Sequence, residues 1–302
     1  MKLSVLSTAF ALALSAVAAS AADLPVKAPA AAAPASPWDV AFGAAVMSDY
    51  NFRGITQSNH KPSVNAYFEP RYNINPDVQL YAGIGGYSIE FPNNAAAEID
   101  LYAGIRPTLG KLALDFGVWY YYYPGGRAFD GLVDATHCAN LVFGANCSIV
   151  KSNMSFIEVY GKATYTFNDN WSAGIALYYD PNWMNSGADG VYLYGTAKYT
   201  GAALANGIGW YASGELAHYW LGTADAFYSN FNWPDYTTWS VGLGFTWKVF
   251  TLDLRYYDTD LSKANCWALT ADHTTTSGQS NWCGSTFIAA LKADLSVNSN
   301  LK

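Results

Sequence analysis

The sequence predicts an all-β chain, a transmembrane up-and-down antiparallel β-barrel of about twelve strands with short turns at one end and long loops at the other. Three observations predict it. Only 13% of the 302 residues are charged, against about 25% in an ordinary soluble domain, while 16% are aromatic and 51% hydrophobic, so much of the surface is not built to face water. Mean hydropathy is nevertheless only +0.03. Beyond the first two dozen residues no window approaches the roughly 18 consecutive apolar residues of a membrane-spanning helix. From Trp38 onward, apolar and polar residues alternate with period two in runs long enough to cross a bilayer.

The elements follow in chain order. Met1-Lys2, the apolar run Leu3 to Ala19 and the small residues Ala19-Ser20-Ala21 predict a signal peptide over 1–21, cleaved before Ala22. Losing Lys2 moves the formal charge from 16 − 23 = −7 to 15 − 23 = −8. No basic face remains for nucleic acid or anionic lipid. Residues 22–37, rich in Ala and Pro and without hydrophobic periodicity, read as an extended periplasmic linker, which leaves 38–302 for the barrel.

Within 38–302 the alternation predicts strands near 38–52, 63–73, 78–89, 98–107, 112–123, 155–167, 171–180, 191–200, 208–220, 237–247, 249–258 and 286–295. Most are ten residues or longer, whereas strands of soluble sheets cluster at about 5 to 6 and tilted membrane strands need about 9 to 11. The connections alternate in length. Those after Asn73, Thr108, Asn168, Gly201 and Trp247 are short, and the intervening ones are longer, notably 124–154 and 259–285. Outer-membrane barrels place short turns in the periplasm and long loops outside. Aromatics should gather at both membrane interfaces. Trp38, Tyr72, Tyr165, Phe167, Trp171, Tyr199, Trp210 and Trp247 fall at the turn ends of strands, and Tyr50, Phe52, Tyr120 to Tyr123, Tyr178, Tyr179, Tyr219, Trp220, Trp239, Tyr256 and Tyr257 at the loop ends.

Specific residues then carry a resemblance. Ser48-Asp49-Tyr50-Asn51-Phe52-Arg53-Gly54-Ile55-Thr56-Gln57 with Lys61-Pro62, then Leu80-Tyr81-Ala82-Gly83, Glu98 to Gly104, Tyr121-Tyr122-Tyr123-Pro124-Gly125, Glu158-Val159-Tyr160 and Leu252 to Asp260 occur in order along nearly the whole mature chain. Together they resemble the TorF-like porin family of proteobacterial outer membranes. The resemblance implies a barrel in the outer membrane, with lipid and small hydrophilic solutes as its partners, that lets those solutes diffuse passively, and no assigned substrate. One departure is the C-terminus, which runs past Leu295 to Lys302 where many such barrels end on an aromatic.

The polar strand faces supply candidate pore-lining residues. The acids are Asp49, Glu69, Glu98, Asp100, Asp115, Glu158, Glu215, Asp253 and Asp294, and the bases are Arg53, Arg71, Arg106, Lys162, Lys198, Arg255 and Lys292. This near balance disfavours a pore dedicated to anions, which needs a ring of Arg and Lys. It predicts weak cation selectivity or none. Tyr67, Tyr81, Tyr87, Trp119, Tyr160, Tyr192, Tyr194 and Tyr211 share those faces, so the alternative is a structural or adhesive barrel with a plugged lumen that binds through its loops.

Cys138 and Cys147 fall in one long loop, Cys266 and Cys283 in the other. In an exported chain an even count reads as two disulfides. Of three connectivities, 138 with 147 and 266 with 283 close the shortest loops. No C-x-x-C spacing suggests zinc, an isolated Asp258-x-Asp260 is ordinarily solvated surface, and no cofactor is implied. Nor is an enzyme. His60, His137 and His273 sit in predicted loops and His218 in a strand, without evident paired carboxylates, and neither a His-x-Ser pair nor a G-x-S-x-G elbow is present.

Overall fold

A computed structural model describes residues 36–127 and 150–301. The predicted signal peptide, nearly all of the linker, His137, Cys138 and Cys147 lie outside them. Twelve strands close into one antiparallel barrel in which every strand pairs with its sequence neighbours: β1 (Trp38–Met47), β2 (Ser63–Asn75), β3 (Val78–Tyr87), β4 (Glu98–Leu109), β5 (Leu112–Tyr122), β6 (Phe156–Thr166), β7 (Trp171–Asp180), β8 (Gly190–Thr200), β9 (Gly209–Leu221), β10 (Tyr236–Trp247), β11 (Phe250–Thr259) and β12 (Thr286–Ser296). Closure comes from β1 pairing with both β2 and β12, Phe42 standing opposite Phe68 on one side and Leu295 on the other. No strand edge is left, as a sheet in hydrocarbon requires.

The alternation sorts the side chains. Phe287, Leu216, Val241 and Ile175 are exposed on the outer surface by 63, 62, 58 and 55%, while Glu69, Glu158 and Arg255 on the inner face are at most 1% exposed. An apolar exterior around a charged interior inverts the usual soluble fold and suits a lipid surrounding. The connections after β2, β4, β6, β8 and β10, of two to eight residues, lie at one end with the start of β1 and the end of β12, and 48–62, 88–97, 181–189, 222–235, 260–285 and the described residues of 123–155 lie at the other. The residues after β12 form a short helix, α2 (Val297–Asn300), following α1 (Lys263–Thr270) of the last loop. Asn298 ties α2 to the start of β1, its backbone N–H donating to Asp39 and its side-chain amide to the Trp38 carbonyl. The C-terminal extension thus fastens the seam where the barrel closes.

Inside, tyrosines lie against glycines on the neighbouring strand. Tyr211 faces Gly244 and Tyr160 faces Gly117. A Cβ on Gly244 would fall 1.9 Å from the Tyr211 ring, and one on Gly117 2.7 Å from the Tyr160 hydroxyl oxygen. Each ring therefore lies along the wall over a position that only glycine leaves open.

Two expectations are corrected. The first strand does not run to residue 52 but ends at Met47. There the chain leaves the wall and makes a small hairpin, Asn51–Phe52 against Ile55–Thr56. The loop-end aromatics are not all interfacial: Tyr120, Tyr122, Tyr179, Trp220 and Tyr256 face outward, but Tyr50, Tyr121, Tyr123, Tyr178, Tyr219 and Tyr257 are buried within the barrel. In a Tyr-Tyr doublet strand parity sends one ring each way.

Candidate functional site

Near the turn end, Glu69 and Asp115 hold Arg106. Its Nη1 and Nη2 donate to Glu69 at 2.8 and 3.1 Å, its Nε to Asp115 at 3.4 Å, and its guanidinium lies 3.5 Å over the Tyr81 ring. Arg71 donates to Glu69 as well, and the Tyr81 hydroxyl to Asp115. Further round the wall, Arg255 donates to Asp253 at 3.0 and 3.1 Å and to Ser213 at 2.7 Å, and the Tyr211 hydroxyl donates to Asp253 at 2.6 Å. Lys198 stands 4.3 Å from the Tyr211 ring and Lys162 4.7 Å from that of Tyr160. Asp294 accepts from Tyr67, and Lys292 is half-buried on β12. Opposite charges of the wall, within one strand, between neighbours and across one intervening strand, thus satisfy one another where they are buried.

Toward the loop end the lining becomes aromatic. Tyr160, Tyr178, Tyr192, Tyr219 and Tyr236 are successive cross-strand partners from β6 to β10, one row across five strands. Among them stand Glu158, which accepts from Tyr121 at 3.0 Å, and Glu215, which accepts from Tyr192 at 3.2 Å. Glu98 accepts from Tyr123 at 2.8 Å and from Tyr50, while Asp100 is fully buried. Asp180, at the end of β7, is also fully buried. It is absent from the predicted lining because it sits where the alternation gives way to a loop.

The hairpin of the first loop reaches into this aromatic zone. Arg53 (φ 51°) and Gly54 (φ 87°) form its two-residue turn, with left-handed backbone at both positions. Gly54 is needed twice over, since a Cβ there would lie 2.4 Å from Thr259 and 2.5 Å from Thr238. The hairpin brings Arg53 beside β10, where the Tyr236 hydroxyl donates to its carbonyl, and its side chain reaches the wall of β6 to β9. Nη1 and Nη2 donate to the two carboxylate oxygens of Glu158 at 2.7 and 2.8 Å, and Tyr192, Tyr219 and Tyr178 surround the guanidinium at 4.3, 4.9 and 5.0 Å. Arg53 therefore reaches the lumen from a hairpin tip and not from the barrel wall. Asp49 likewise stands off the wall, at the hairpin base, where it accepts from Thr56 and Ser58 and meets His60.

His60 does have a carboxylate partner, against expectation, with Nδ1 2.8 Å from Asp49 and Nε2 3.2 Å from the Asn281 carbonyl. Both neighbours are acceptors, so the imidazolium form, with a proton on each ring nitrogen, satisfies both contacts. The hydrogen bond to Asp49 raises the pKa of His60 above its ordinary 6.5, against the opposing effect of partial burial. Ser58 and His60 share Asp49 but do not bond to each other, so these two form no serine–histidine relay. Loops 88–97 and 260–285 secure the hairpin: the backbone N–H of Thr56 donates to the Trp282 carbonyl at 2.9 Å and that of Glu90 to the Gln57 carbonyl at 2.8 Å, and the Lys61 ammonium pairs with the Glu90 carboxylate at 2.6 Å. Burial raises the pKa of Glu90, but the bonds from Lys61 and Asn59 outweigh it and hold the carboxyl below its usual range. Phe91, Trp183, Tyr228 and Trp233 of the other loops pack into an aromatic cluster continuous with the row. The last loop is closed by the disulfide Cys266–Cys283.

No group of three or more His, Cys, Asp or Glu placed to hold a metal ion occurs among the described residues.

No curated protein matches the chain in sequence. An outer membrane channel from Pseudomonas putida F1 is 11% identical, with 87% of this chain and 97% of that one covered and a TM-score of 0.48. The NanC porin is 10% identical, with 85 and 100% covered and a TM-score of 0.46. The KdgM porin is 8% identical, with 84 and 98% covered and a TM-score of 0.43. Residues 31–289 match the family described as a bacterial protein of unknown function, Gcw_chp, and the chain belongs to that family.

Proposed function

We propose that the protein is an outer-membrane channel of the TorF-like porin class that passes small hydrophilic solutes by diffusion. The observation that carries this reading is the sorting of the barrel's two faces, an apolar belt outside and buried ionic networks inside. A barrel that served only as a lipid-embedded support could fill its interior with apolar side chains, whereas charged networks keep a polar path through it. The loops then face outward and the turns face the periplasm, with the signal peptide directing export.

The candidate lining residues set the selectivity. Arg53, Arg71, Arg106 and Arg255 are each tied to a carboxylate, while Glu98 accepts from tyrosine hydroxyls. The nine acids and seven bases of the lining leave a small negative excess. We expect a weak preference for small cations, or none, and no catalytic step. Single-channel recording of the refolded protein in planar bilayers tests both points. Discrete conductance steps are expected, with a reversal potential in a salt gradient near zero or slightly toward the cation value. A bilayer that stays silent with both the wild type and R53A removes the channel, and a clear anion potential removes the selectivity.

One observation favours a second reading, a plugged barrel that binds through its loops. The first-loop hairpin and the aromatic cluster close over one mouth. The same recording separates the two, because a permanently plugged barrel stays silent after Arg53 is removed.

A further inference from the structure

The place where Arg53 rests belongs to the wall and not to the loop. Glu158, Tyr178, Tyr192 and Tyr219 come from four consecutive strands, β6 to β9, and the three tyrosines are direct cross-strand partners held by the ladder. Glu158 is oriented by the Tyr121 hydroxyl at 3.0 Å, independently of the arginine. All four cage residues are at most 2% exposed. A carboxylate whose two oxygens meet a planar fork, ringed by aromatic faces at 4.3 to 5.0 Å, is the chemistry that recognises a guanidinium: paired charge-assisted bonds in the plane and cation–π attraction on the faces.

The occupant is held less naturally than the cage. Arg53 takes left-handed backbone at a turn position where Asn, Asp or Gly is preferred. It arrives on a hairpin that crosses from β1, and its carbonyl is pinned by the Tyr236 hydroxyl at 2.9 Å. A strained residue brought to a preformed site on the opposite wall has the geometry of an internal ligand.

We propose that the cage of Glu158, Tyr178, Tyr192 and Tyr219 is a binding site for solutes that carry a guanidinium group, filled in this conformation by the chain's own Arg53. The inference rests on the channel reading for its purpose, since such a solute enters the lumen when the hairpin withdraws. A solute bearing the same group then competes with the hairpin for one site, and its binding keeps the lumen open.

The test empties the cage and refills it. R53A, and R53G, which suits the left-handed turn and guards against a folding defect, are refolded and titrated by calorimetry with guanidinium chloride in the low millimolar range. Urea serves as the neutral analogue of the same shape. Saturable guanidinium binding is expected to both variants, at least about tenfold tighter than to the wild type, where the hairpin competes for the cage. Urea should not bind, and adding E158Q should weaken binding by about tenfold or more, as expected for lost hydrogen bonds to a charged group. Binding equal in wild type and variants, urea binding as well as guanidinium, or no effect of E158Q overturns the proposal. Bilayer recording of the same samples separates the two readings. Guanidinium binding with a silent bilayer keeps the cage and removes the channel, and conductance without guanidinium binding keeps the channel and removes the cage.

Discussion

The two ends of the lumen are built on different principles. At the turn end, charges meet charges of the wall: Arg106 on β4 reaches Glu69 on β2 and Asp115 on β5, and Arg255 bonds to Asp253 on its own strand. At the loop end the decisive charge comes from outside the wall, and Arg53 bonds to Glu158 across a sequence separation of 105 residues. A wall network can change only if the barrel does. A hairpin held by loop contacts can leave while the barrel stays. On the proposed reading, one end of the lumen supplies stability and the other can adjust.

The largest effect should come from breaking the wall. Arg106→Ala leaves Glu69 with Arg71 and takes the Arg106 bond from Asp115, both carboxylates being buried, and should destabilise the barrel by about 3 to 5 kcal/mol. Urea unfolding in detergent micelles measures it. R53A should cost the barrel clearly less, since the freed loop can admit water to Glu158. Equal losses from the two variants would erase the distinction between the ends.

Next is the staple of the last loop. Cys266 and Cys283 are 17 residues apart. Closing a loop of about that length contributes about 3 kcal/mol in the chain-entropy picture. The stabilisation belongs to the loop, because the bridge joins no strands. Reduction should make 260–285 sensitive to protease and slacken the Trp282 contact that holds the hairpin, while the barrel's unfolding midpoint stays put. An impermeant thiol reagent on intact cells should label this pair only after reduction. Labelling without reductant would count against the bridge.

A smaller effect tests the wall's fit. Gly244→Ala forces the Tyr211 ring off its strand and away from Asp253, an overpacking of about 1 to 3 kcal/mol. Gly195→Ala, whose Cβ would have no neighbour nearer than 3.9 Å, is the matched control and should change little.

The smallest effect is a pH dependence at the hairpin base. Because the pKa of His60 is raised in the folded protein, its contribution is complete below 6.5 and is lost as pH rises through the folded value. The protection of residues 48–62 against amide exchange, taken relative to the intrinsic rate at each pH, should therefore fall as pH rises above 6.5. His60→Gln should be weakly protected at both ends of that window, and protection in β4 should not respond. Greater protection at high pH would reverse the sign and exclude the Asp49 pairing as its cause.

The sequence by itself determined the barrel. A period of two in side-chain direction is a local property of the strand, so the alternation from Trp38 to Leu295 marks the strands, the outward face and most of the wall charges, and loop lengths supply the up-and-down order. It also singled out the stretch from Ser48 to Gln57 and the pairing of Cys266 with Cys283. Only the tertiary structure decided what that stretch does. Alternation continues through Asn51 and Phe52, so nothing local says that the chain has left the wall. The turn at Arg53 and Gly54 is held by Glu158 and Tyr236 and crowded by Thr238, all 105 or more residues further along the chain. Parity in the doublet Tyr178-Tyr179 and the tandem Tyr219-Trp220 depends in the same way on register with β8, not on the residues themselves. The row of tyrosines exists only once five strands are aligned, because cross-strand neighbours are set by closure of the barrel and never by position in the chain.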